Sequence, residues 1–252
     1  MNKKISINNK KETYFLGGRH TCLEAIKNPK RVIKKIYVND QKKYDEIINL
    51  SKKNSIEIKD RVFFENIFNK TFNHQGYAVE TYLLEYLDFK NFAEEISKFQ
   101  SCTVVILDSI QDDRNLGSIM RTCLSFYVDA LILNKKEYRP KSYNLNKTAA
   151  GSIEHLKIYT VSNVKNAIQE LKKKGFWIYA LDQNATKSIY NVELNKFTGL
   201  VLGSEEKGIK KKTYNYCDET LSIPINPLAN SLNISNALSA SLSIIKKTRL
   251  NK

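Results

Sequence analysis

Three polar segments follow one another in the last two-thirds of this 252-residue chain, each beside a run of apolar residues. The first is Asp112-Asp113-Arg114-Asn115-Leu116-Gly117-Ser118-Ile119-Met120-Arg121-Thr122. The second is Leu202-Gly203-Ser204-Glu205-Glu206-Lys207-Gly208-Ile209. The third opens with Ser222-Ile223-Pro224 and closes with Ser231-Leu232-Asn233-Ile234-Ser235. Amides, hydroxyls, a carboxylate and a guanidinium are groups that orient a polar substrate and steady a developing charge. Each segment also has a plain structural reading. Asn115 sits at a turn that enters a helix, with Arg121 on its surface. Glu205 and Glu206 open a helix whose dipole favours carboxylates. Ser231, Asn233 and Ser235 are N-cap residue types before a last helix. The Gly203-x4-Gly208 spacing has a P-loop outline, but Ile209-Lys210 follows where Lys-Ser/Thr is required. Its glycines are instead expected to let backbone pass close to a ligand.

The elements that must position these segments alternate. Phe89 to Phe99 reads as an amphipathic helix and Thr103 to Leu107 as a buried parallel strand. A helix is expected from Leu116 to Tyr127, a strand over Ala130–Leu133, a helix over 142–152 and a strand over Ile158–Val161. Then come a helix over 163–174 and strands at Trp177–Leu181 and Gly199–Leu202. A helix over 209–216, a strand at 220–223 and a final helix over 235–249 complete the series. Such alternation predicts a mostly parallel sheet. Upstream, helices are expected over 22–27, 44–54 and 62–68, with strands over 33–38, 56–58 and 77–84. Together these make a small α/β/α unit, separated from the rest by a polar linker near 85–88.

The whole chain narrows the field. Its net charge of +15 favours a polyanionic partner, although abundant Lys, Asn and Ile also fit a biased genome composition. Cys22, Cys102, Cys123 and Cys217 have no metal or redox spacing, and His20, His74 and His155 are far apart. Reduced thiols and no metal site are expected. Residues 1–12 form a basic stretch without the apolar core of a secretory signal, and are expected to be a disordered tail. No apolar run approaches the ~18 residues of a membrane span. A cytoplasmic protein is expected.

In this order, the three segments resemble the motifs of the SpoU-type 2′-O-ribose RNA methyltransferases (TrmH family) of the SPOUT superfamily. Lys147-Thr148-Ala149-Ala150-Gly151-Ser152-Ile153-Glu154 resembles a further block of that family. Gly18-Arg19-His20 and His74-Gln75-Gly76 are similar to signatures of its L30e-like N-terminal extension. The resemblance implies an α/β fold with a deep trefoil knot and a mostly parallel sheet at 89–252, and an RNA substrate-binding domain at 13–84. It implies S-adenosyl-L-methionine as cofactor, with Gly203, Ile223 and Leu232 at cofactor-contacting positions. Arg121, Asn115, Glu205, Ser231 and Asn233 match the reactive set, with Asn115 and Glu205 expected to orient Arg121. The implied substrate is RNA, a guanosine of 23S rRNA foremost, with tRNA methylation and a non-catalytic RNA-binding role as alternatives. A homodimer is also implied, with the stripe Leu238, Leu242 and Ile245 of the last helix in its interface. The chain departs from the family pattern at Asp113, where proline is common, at Tyr127, where glycine is usual, and at Asn226-Pro227, where small flexible residues are usual.

Overall fold

The structure, a computed structural model, describes residues 12–51, 54–85 and 87–250, so residues 1–11 of the expected basic tail lie outside the described residues. The chain divides between Leu84 and Glu85 into two compact units.

In the first unit, β1 (Tyr14–Gly17), β4 (Tyr77–Thr81), β2 (Ile33–Val38) and β3 (Ile56–Ile58) form one sheet in the order β1-β4-β2-β3. Its pairings are antiparallel except β2 with β3. Helices α1 (Arg19–Lys27), α2 (Gln41–Ser51) and α3 (Arg61–Ile67) complete the unit. Leu16, Cys22, Ile36, Val38, Ile47 and Val79 close its core. Strand β1 was not expected; four residues are too few for an alternation to stand out. The two signature segments meet in space. Gly18 precedes α1 with φ 95° and offers no side-chain cap. Gln75, 56 residues further on, supplies the missing acceptor: its Oε1 takes the Arg19 backbone N–H at 3.0 Å. His74 stacks on Phe64, and its Nδ1 accepts the Gly76 N–H at 3.0 Å.

In the second unit, β10 (Glu219–Leu221), β8 (Trp177–Leu181), β9 (Phe197–Leu202), β5 (Cys102–Leu107), β6 (Ala130–Asn134) and β7 (Ile158–Val161) form a fully parallel sheet in that order. The central pair, β5 and β9, is almost wholly buried, which suits continuous Val, Ile and Leu. Helices α4 (Phe89–Glu95), α5 (Asp113–Ser125), α6 (Tyr143–Ala149), α7 (Val164–Lys173), α8 (Lys211–Tyr214) and α9 (Ile234–Leu250) connect or cover the strands. Because β5 and β9 are parallel neighbours, the segments that follow them leave the same sheet edge, where open α/β sheets bind ligands. Helix α5 packs so closely on α6 that a Cβ at Gly117 would lie 2.7 Å from the Leu145 carbonyl oxygen.

Several expectations need correction. The helix expected over 209–216 is the four-residue α8. Leu238, Leu242 and Ile245 are buried within their own unit, so this stripe is core and cannot be an interface. In the first unit, much of the positive charge around α1 and β2 is already engaged. Arg19 pairs with Glu46, Lys27 with Glu24, Lys34 with Glu80 and Lys35 with Glu57. Arg31 is buried and donates to the Tyr14 hydroxyl and the Tyr82 carbonyl.

Candidate active site

The first segment enters α5 through an N-cap that is Asp112, not Asn115: the Asp112 carboxylate accepts the Arg114 N–H at 2.7 Å. Asn115 therefore lies inside the first turn, with its side chain directed at the other two segments. The second segment does not open a helix either. Ser204 and Gly208 bridge each other across a tight loop in which Gly208 takes φ 62°. Residues Ile223 to Asn233 of the third segment have no regular structure, and α9 starts at Ile234.

Three side chains, one from each segment, close a hydrogen-bonded ring. Asn115 Nδ2 donates to Glu205 Oε2 at 2.8 Å. Asn233 Nδ2 donates to Glu205 Oε1 at 2.9 Å and to Asn115 Oδ1 at 3.2 Å. The Glu205 carboxylate is thus held between two amides. A carboxylate offers about four lone-pair sites, so acceptor capacity is left over. Asn233 also does what an N-cap does, since its Oδ1 accepts the Ser235 N–H at 2.9 Å. Beside the ring, the Ser235 hydroxyl meets Ser118 Oγ at 2.8 Å and Thr122 Oγ1 at 3.1 Å, fastening α9 to α5.

The other expected site residues are placed differently. Arg121 is exposed on α5, and its guanidinium has no hydrogen bond or ion pair among the described residues; Asn115 and Glu205 bind each other rather than orienting it. Six residues separate it from Asn115, about 9 Å along a helix axis. Ser231 is exposed and takes no part in the ring. Ile223 is half-buried, and Leu232 is 37% exposed. At Gly203, a Cβ would fall 2.0 Å from the Gly208 carbonyl carbon and 2.1 Å from the Ile209 nitrogen. The close approach that demands glycine is therefore made by the chain's own loop.

Below the loop lies a second polar group that the sequence reading missed. Asp108, 3% exposed at the end of β5, accepts the Lys210 backbone N–H at 3.0 Å. Glu137 accepts the Ser109 N–H at 3.1 Å, and Lys210 Nζ stands 3.6 Å from Asp108 and 4.0 Å from Glu137. Burial raises the Glu137 carboxyl above the ordinary glutamate value, and the Lys210 charge pulls the other way. The position of Asp108 just past a buried strand was the available signal. Ser109, Glu137 and Lys210 border a cavity of about 370 Å³ that also reaches Asn115 and Glu205.

Two departures from the family pattern have a structural explanation. Asp113 is the first helical residue, a position that suits proline; here its carboxylate pairs instead with Arg139 at 2.9 Å. Tyr127 adopts φ 56°, the left-handed conformation that glycine takes without strain, and its ring lies 4.4 Å from Lys246 Nζ.

Among known proteins, the model of the SpoU rRNA methylase family matches residues 102–243, and a model for RNA 2′-O-ribose methyltransferase substrate binding matches residues 15–87. A Staphylococcus epidermidis protein described as a TrmH family tRNA/rRNA methyltransferase is 32% identical over 232 residues, covering 90% of this chain and 93% of its own. The SpoU methyltransferase AviRb from Streptomyces viridochromogenes, solved with AdoMet, superposes with a TM-score of 0.80 at 16% identity, covering 94% of this chain and 91% of that one. A TrmH/SpoU tRNA-modifying enzyme from A. aeolicus is 28% identical, with a TM-score of 0.54 over 65% of this chain and 83% of its own. The ring joining Asn115, Glu205 and Asn233 is built wholly within the matched region, and the chain belongs to the SpoU rRNA methylase family.

Proposed function

We propose that this protein transfers a methyl group from S-adenosyl-L-methionine to a ribose 2′-hydroxyl of RNA, with a guanosine of 23S rRNA as its target. The observation that carries this reading is the Asn115–Glu205–Asn233 ring, assembled from all three segments in a chain of this family. When bound, the cofactor supplies a methyl group activated on a sulfonium. The residues fit such a guest. Beyond β10 the chain presents Leu228 and Leu232, 92% and 37% exposed, on irregular backbone, and exposed apolar side chains there suit a flat adenine. Ile223 and Leu232 would wall the cofactor, while Gly203 keeps the neighbouring loop in shape.

The remaining work falls to the chain's own residues. Glu205, pinned by two amides, accepts the hydrogen of the ribose hydroxyl and so orients its oxygen. A guanidinium stays protonated, so Arg121 acts as a charge and not as a base. Without a hydrogen bond or ion pair among the described residues, its guanidinium meets the developing alkoxide or an adjacent phosphate. Ser231 offers its hydroxyl to the target nucleotide. The substrate-binding match over residues 15–87 supports RNA capture by the first unit. The homodimer implied by the family would use surface other than the buried stripe of α9, and sedimentation tests it.

Incubating the protein with radiolabelled cofactor and total RNA from cells lacking its gene should place label on large-subunit rRNA. Label confined to tRNA would favour the second reading, which the description of the staphylococcal relatives also supports.

A further inference from the structure

The cavity of about 370 Å³ shares Asn115 and Glu205 with the reactive ring and continues away from it. Its volume lies within the range of small-molecule sites, about 300–1,000 Å³. It is not bordered by Ile223 or Leu232, the residues expected to wall the cofactor. A group bound there would touch Glu205 without touching Ile223 or Leu232. If Glu205 holds a ribose hydroxyl, as proposed above, the group one bond-chain away is the base on the same sugar.

Glu137 and Lys210 also line the cavity. Glu137 spends one lone pair of Oε2 on the Ser109 N–H, and its Oε1 stands 4.0 Å from Lys210 Nζ, at the limit of an ion pair. Each carboxylate oxygen thus keeps acceptor capacity toward the cavity. Glu137 cannot turn away freely, because Ser109, with φ 73°, holds it through the backbone. The side chain is half-buried, and that burial raises its carboxyl above the ordinary glutamate value.

An ionised carboxylate only accepts. Two oxygens side by side match a base edge with two adjacent donors. Guanine alone offers this, through N1–H and the 2-amino group. Adenine and cytosine present one amino donor beside an acceptor, and uracil one N–H between two carbonyls. A lysine beside the carboxylate suits the guanine O6. We infer that this cavity receives the base of the target nucleotide and that Glu137 is the specificity-determining residue, reading the paired N–H donors of guanine.

This inference rests on the methyltransferase reading, so the test separates the two. The full-length protein, radiolabelled cofactor and total RNA from gene-deleted cells locate the methylated nucleotide. A short RNA carrying that site is then made with guanosine or inosine, which lacks the 2-amino group. The wild type should lose about 10- to 150-fold in kcat/KM on inosine, the worth of one hydrogen bond to a charged group. Glu137→Gln should lose a similar factor on guanosine, and inosine should cost it little more. Glu137→Asp, which keeps the carboxylate, should recover part of the loss. Cofactor affinity and melting temperature should hold in both variants. A located nucleotide other than guanosine, equal wild-type rates on the two RNAs, or losses that simply multiply would overturn the role of Glu137 and leave the methyltransferase reading standing. No methylation of any RNA would overturn both.

Discussion

Asn233 caps α9 with its oxygen and holds Glu205 and Asn115 with its nitrogen. The N-cap reading of the third segment therefore holds for Asn233, while the other end of the same amide joins the ring. Asn233→Asp separates them. The aspartate still caps the helix, but it loses the donor and sets a second carboxylate against Glu205. Helix content should persist, while methyl transfer should fall at least ~100-fold, the scale of losing a positioned polar group. Circular dichroism and single-turnover kinetics check both halves. Arg121→Ala should also lower transfer at least ~100-fold and leave cofactor affinity unchanged, since its exposed guanidinium has no hydrogen bond or ion pair among the described residues. A near-normal single-turnover rate in Arg121→Ala would show that the charge is not used. Asn115, Glu205 and Asn233 were legible as residue types in order. Their mutual bonding was not, because it spans 118 residues from Asn115 to Asn233. Glu137 and Lys210 went unnoticed because no spacing links them; only the parallel pairing of β5 with β6 and β9 makes them neighbours.

At the scale of elements, the loop after β9 gives a motif glycine a structural reason to be there. Gly203 suggested room for a ligand, yet its missing Cβ makes room for Gly208 and Ile209. Gly203→Val should therefore unseat the loop, and Glu205 with it, rather than plug a pocket. Both melting temperature and transfer rate should drop. Unchanged melting with lost cofactor binding would restore the ligand explanation. The alternation of strands and helices was readable because buried parallel strands are runs of Val, Ile and Leu. The short pieces were not: β1 has four residues and α8 has four, too few for a period to show. Tyr127 stands in left-handed backbone just past α5, a cost that the family's usual glycine at this position signalled.

For the whole molecule, the charge of +15 overstates what the first unit can offer to RNA. Arg19, Lys34 and Lys35 already face Glu46, Glu80 and Glu57, so a phosphate must compete with carboxylates. Deleting residues 1–84 should weaken RNA binding and flatten its salt dependence. The log–log slope should change by fewer units than the number of cations removed, each full phosphate contact being worth roughly one unit. Filter binding across a salt series checks this, and equal slopes with and without the unit would remove it from the RNA interface. The same pairs set a pH response. The hydrogen bond from Arg19 holds the Glu46 carboxyl below its ordinary value, and that from Lys35 does so for Glu57. Carboxyls depressed in the folded state stabilise it above their unfolded pKa, and this contribution is lost as pH falls through the folded value. Melting of the first unit should therefore be flat near neutrality and fall on acidification through and below the ordinary glutamate range; thermal scans from pH 7 to pH 3 test it.

The central claim is that the ring around Glu205 serves methylation of a ribose 2′-oxygen, and one measurement meets it directly. A 2′-O-methyl group makes the adjoining phosphodiester resistant to alkali, so methylated riboses can be mapped across all cellular RNA. Maps are compared for cells with the gene, without it, and with the gene restored as wild type or as Glu205→Gln. The expected result is one alkali-resistant guanosine position in 23S rRNA that vanishes on deletion, returns with the wild type and stays absent with Glu205→Gln. Identical maps from all four strains would contradict the account.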